Sequence, residues 1–117
     1  MNNLIQKLLA QPNHAEARTW LNKHTDEYFV NLGELETNQA SLELVEKFYS
    51  FGATEVIAVE IDEYPEEGEN TGRLVIVLPD DKGKREQVLA LCSDISEGQG
   101  FDQHTDIGQT HEFLMLD

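Results

Sequence analysis

The chain has 117 residues, 39% of them hydrophobic, with one cysteine and a formal net charge of −15. That is enough chain to bury one core without staples, Cys92 has no partner for an internal disulfide, and no run approaches the ~18 apolar residues of a membrane span. The N terminus has no basic start and too short an apolar run for a secretory signal, so the expectation is a soluble, cytoplasmic protein; its field repels nucleic acid and anionic membranes and favours cationic partners.

Residues 1–27 carry balanced charge, Lys7, Arg18 and Lys23 against Glu16, Asp26 and Glu27, so the whole acidic excess lies in 28–117. Leu4, Ile5, Leu8 and Leu9 have helical spacing and predict a helix over 3–10. Pro12 breaks it, and Ala17, Trp20 and Leu21 predict a second helix from Asn13 to about Lys23. This pair forms an N-terminal helical extension. Tyr28 to Leu32 reads as a strand. A cap region at Thr37 to Gln39 opens a helix that Leu44, Val45, Phe48 and Phe51 stripe and Gly52 ends. Glu55 to Ile61 alternates as a strand, and Glu63 to Gly72 reads as a loop punctuated by Pro65, Gly68 and Gly72. Arg73 to Leu78 is apolar at five successive positions, the mark of a strand buried on both faces. Asp80 and Asp81 cap a helix striped by Val88, Leu91, Cys92 and Ile95. A polar loop over 96–108 leads to a last strand, His111 to Leu116.

The body from 28 to 117 thus has the order β-α-β-β-α-β, which resembles the ferredoxin-like, split-βαβ superfold. The resemblance implies an α+β two-layer sandwich with a four-stranded antiparallel sheet, in which the first strand and Arg73–Leu78 are central neighbours. Both helices of that fold lie on one face, yet the last two strands are apolar on both. The N-terminal helices, or a homodimer partner, should cover the second face. Two shorter resemblances carry no activity. Leu9 to Ala17 is similar to the junction between tetratricopeptide repeats, but no second copy follows. Asp106 to Leu114 is similar to C-terminal strands of uncharacterised bacterial proteins.

Three groups of residues invite chemistry. Asp102, His104 and Asp106 stand at i, i+2 and i+4, one face of an extended segment, and can converge on a divalent cation. The acids Glu63, Glu66, Glu67 and Glu69 crowd a hairpin loop without calcium-loop spacing, so they read as a solvated interaction surface. Asn31 to Leu35 resembles the glycine-bearing first loop of ACT-type regulatory domains, which implies a small-molecule site at Gly33, Glu34 and Asn38 near a dimer interface. Lys82, Lys84 and Arg85 lack a phosphate-loop pattern, and no Ser-hydrolase, zinc-protease or C-x-x-C motif occurs. The leading expectation is a non-enzymatic acidic domain without cofactor, acting by contact with a basic protein. The alternatives are an ACT-like sensor and, third, a metal-assisted enzyme using Asp102, His104 and Asp106.

Overall fold

The structure is a computed structural model that describes residues 3–35 and 37–116. Its elements in chain order are α1 (Asn3–Ala10), β1 (Ala15–Glu16), α2 (Ala17–Leu21), β2 (Phe29–Leu32), α3 (Asn38–Phe51), β3 (Glu55–Ala58), β4 (Asp62–Tyr64), β5 (Gly68–Thr71), β6 (Arg73–Val77), α4 (Lys82–Gly98) and β7 (His111–Met115). It is an α+β protein with two sheets. The larger is antiparallel throughout, in the order β1-β3-β6-β7. The smaller has the order β2-β5-β4, with β2 parallel to β5 and β4 antiparallel to it.

The two sheets are one hairpin bent in the middle. β3 and β4 are the two halves of one arm, and β5 and β6 the two halves of the other. The bend falls at Glu60, which has φ +50°. Thr71 braces it: its hydroxyl donates to the Val59 carbonyl at 2.6 Å and accepts from the Arg73 amide at 3.2 Å.

The bend changes the expected topology. Phe29–Leu32 is not a neighbour of Arg73–Val77; it pairs with Gly68–Thr71, inside the segment read as a loop. β7 takes the edge of β6 instead. Gly68 permits this pairing. A Cβ on Gly68 would stand 1.9 Å from the Phe29 carbonyl oxygen, so only glycine admits β2 here. β2 and β7 then meet end to end along the long arm, with the Gly33 amide on the Thr71 carbonyl and the Leu116 amide on the Gly72 carbonyl, each at 2.7 Å.

Helix boundaries follow local chemistry. Thr37 caps α3 through its hydroxyl on the Ala40 amide at 3.0 Å, and Gly52 ends it in the left-handed region at φ +112°. Asp81 caps α4 on the Lys84 amide. The expected helix over 13–23 is shorter. Asn13 accepts from the Ile61 amide, Ala15 and Glu16 pair with Ala58 and Ile57, and only Ala17–Leu21 is helical. Glu16 is its cap: the carboxylate accepts from the Arg18 and Thr19 amides. Edge pairing satisfies these backbone groups as well as a helical turn would.

Alternation along the strands separates two cores. Val56, Ala58, Leu74, Ile76 and Leu114 face α2, α3 and α4, packing with Trp20, Leu21, Val45, Phe48, Val88 and Cys92. Ile57, Val59 and Val75 face the other way, against Ile5 and Leu8 of α1. The N-terminal helices therefore divide: α1 covers the second face, and α2 joins the first. No helix among the described residues is long and apolar enough to cross a membrane.

Candidate functional site

The β4–β5 hairpin carries the acids expected to form a surface. Its turn, Pro65 to Glu67, is closed by the Glu67 amide on the Tyr64 carbonyl at 2.9 Å, with Glu66 at φ +69°. Glu63, Glu66 and Glu67 are exposed. Glu69 is not; it is 5% exposed, and this corrects the expectation. The reason is strand alternation: Glu69 points inward, where its carboxylate accepts from the Trp20 indole N–H at 3.1 Å, the Lys23 ammonium and the Tyr28 hydroxyl. Burial pushes its pKa up, but the bonds from Lys23, Tyr28 and Trp20 outweigh that and hold it below the usual carboxylate value. The same bond pushes the Tyr28 hydroxyl up to about 12.

The opposite face of the small sheet is open. Phe29 on β2 and Tyr64 on β4 are both register partners of Gly68, and they are 55% and 50% exposed. Gly68 has no side chain, so the two rings stand on either side of an empty strip. The next row holds Asn31, Asn70 and Asp62. Together Phe29, Asn31, Tyr64, Glu67 and Asn70 wall a groove of about 210 Å³ over Gly68. The Asn31 Oδ1 is buried and has no hydrogen-bond donor. His24 supports Phe29: the rings meet edge to face at 5.6 Å, and the His24 Nδ1 accepts from the Val30 amide.

Asp102, His104 and Asp106 go three separate ways. Asp106 forms a paired contact with the Arg85 guanidinium, 2.7 Å at its shorter bond, and accepts from the Gly108 amide. Arg85, then Gly108, holds its carboxyl down at about 2. His104 turns inward to the Ser96 hydroxyl at 2.8 Å (Nε2) and the Glu112 carboxylate at 3.4 Å (Nδ1). Asp102 is exposed and lines a cleft of about 120 Å³ beside Ser96 and His104. Among the described residues no three His, Cys, Asp or Glu side chains form a group that could hold a metal.

Ser96, His104 and Glu112 have the atom order of a nucleophile, base and orienting acid. The surroundings do not fit acyl transfer. Ser96 is 4% exposed within α4, and the amides of Gln99, Gly100, Phe101 and His104 already have acceptors. Those four amides are committed to these bonds. The cluster serves as a lock of the 101–110 loop onto α4, aided by the Gln109 side chain on Glu112 at 2.6 Å. Ser96, expected to open the polar loop, instead lies inside α4, four residues after Cys92 on its buried stripe. Cys92 itself is buried, which pushes its thiol up to about 12 and leaves it inert at neutral pH.

Gly33, Glu34 and Asn38 do not converge either. Gly33 lies where β2 and β7 meet, at φ +52°, and a Cβ would stand 2.5 Å from the Leu116 carbonyl oxygen. Asn38 uses its amide N–H groups on the Leu21 and Val30 carbonyls, both at 2.8 Å. Glu34 alone reaches a cavity, an apolar cleft of about 310 Å³ with Leu35, Leu44, Ile95, Gln99 and Leu116. Comparison with protein-family models, with curated proteins and with solved structures gives no match.

Proposed function

We propose that the chain is a non-enzymatic acidic domain that works by contact with a basic protein partner. One observation carries this reading: an open sheet face presents two half-exposed aromatic rings beside the carboxylates of Asp62, Glu66 and Glu67. Aromatic side chains give contact area at low entropic cost, and the net charge of −15 selects for cations and speeds their approach. The side chains of Ser96, His104, Asp106 and Asn38 are engaged in internal hydrogen bonds. The test is to immobilise the full chain, identify the basic proteins it retains, and reconstitute the complex from pure components. A stoichiometric complex at about 0.15 M salt, weakened as salt rises, is expected. Retention of no basic protein that reconstitutes would overturn the reading.

The cleft under Glu34 favours a second reading, a small-molecule-sensing domain. It is checked by thermal shift against amino acids and nucleotides. A true ligand at a hundredfold its Kd adds about 2.7 kcal/mol.

A further inference from the structure

We infer that the groove over Gly68 is a receptor for a single arginine side chain of that basic partner; this rests on the contact reading proposed above. Three features point to a guanidinium. First, Phe29 and Tyr64 flank Gly68 on strands two spacings apart, about 9.5 Å of backbone separation. That leaves room for one flat group between two rings, and planar guanidinium stacks on aromatic faces where an ammonium acts only as a point charge. Second, beyond the rings the groove wall is polar, with Asn31, Asn70 and the Glu67 carboxylate, and that carboxylate can accept from a group with several N–H donors. Third, the surface around the groove is acidic, with Asp62, Glu66 and Glu67 exposed. The chain already holds one of its own arginines this way. Arg18 lies 4.4 Å over the Tyr49 ring while its guanidinium pairs with the Glu46 carboxylate.

The experiment titrates full-length protein with end-blocked peptides of equal length and charge, one arginine-rich and one lysine-rich. The arginine peptide should bind more tightly. Phe29→Ala and Tyr64→Ala should each weaken it at least about fivefold, and Glu67→Gln should narrow the arginine preference. Glu97→Gln, an exposed acid on α4, should leave binding within about twofold. Circular dichroism confirms that the variants remain folded. Binding that responds to Glu97→Gln as strongly as to Tyr64→Ala, or that shows equal affinity for both peptides, overturns the arginine groove but leaves the acidic contact reading standing. No binding of either peptide overturns both. A dimer in solution that Tyr64→Ala dissociates also overturns the inference, because the groove would then be a contact between copies.

Discussion

Glu69 shows how one charged side chain can belong to the core. A buried carboxylate is costly unless its lone pairs are filled, and Trp20, Lys23 and Tyr28 fill them. Because they also join α2 and the segment before β2 to β5, the residue ties the N-terminal part to the small sheet. Replacing Glu69 by alanine strands the indole and phenol donors, and urea titration should show a loss of about 2–3 kcal/mol. The partly solvated Lys23 adds little to that figure. The pH dependence has a definite sign. Glu69 and Asp106 have lower pKa values folded than unfolded. Their stabilisation is complete above the unfolded carboxylate range of about 4 and is lost as pH falls through the folded values. For Asp106 that window runs from about 4 down to about 2. An acid titration of Asp106→Asn should therefore match the parent near pH 2 and fall below it in stability at neutral pH.

Among the elements, the small sheet depends on one glycine. Gly68→Ala places a methyl 1.9 Å from the Phe29 carbonyl oxygen, and neither strand can yield without breaking the parallel pairing. The expected cost is about 3 kcal/mol by denaturant unfolding, with loss of the aromatic groove. Gly100→Ala is the comparison of interest: a Cβ there meets nothing within 4 Å, so any cost reflects its φ of +85° alone. The same glycine explains why the topology was hard to read. Gly68-Glu69-Asn70-Thr71 has neither alternation nor strand-forming composition, so pattern alone makes it a loop. Its pairing comes from tertiary contacts: Thr71 at the bend and Glu69 under Trp20. By contrast, α3, α4, β3, β6 and β7 were legible from apolar period, caps and the double-sided run in β6. The candidate site was legible only as acidity. Nothing in the spacing brings Phe29 and Tyr64 to either side of Gly68, because that register exists only once the hairpin bends.

For the whole molecule, charge and burial act on different parts. The excess of acids makes the body self-repelling, so stability should rise as salt shortens the Debye length from about 30 Å at 0.01 M to about 8 Å at 0.15 M. α1 belongs to the charge-balanced segment, and its contact is apolar: Ile5 and Leu8 are 2% and 3% exposed against Ile57, Val59 and Val75. Truncating either to alanine removes buried surface and leaves a void, at a cost of about 2–4 kcal/mol. Ile107→Ala, at 81% exposure, should change stability by no more than about 0.5 kcal/mol. The discriminating measurement is the salt dependence of these differences. If α1 is held by burial, the losses from Ile5→Ala and Leu8→Ala stay constant between low and high salt while the parent's midpoint climbs. A loss that shrinks with salt would mean that charge draws α1 onto the sheet, and the apolar account of its docking would be wrong. Removing residues 1–10 is the extreme case. It bares Ile57, Val59 and Val75 together with the half-buried Val77 and Phe113. An open apolar sheet face of that kind leads to association, so light scattering should detect oligomers of the truncated chain at concentrations where the parent stays monodisperse.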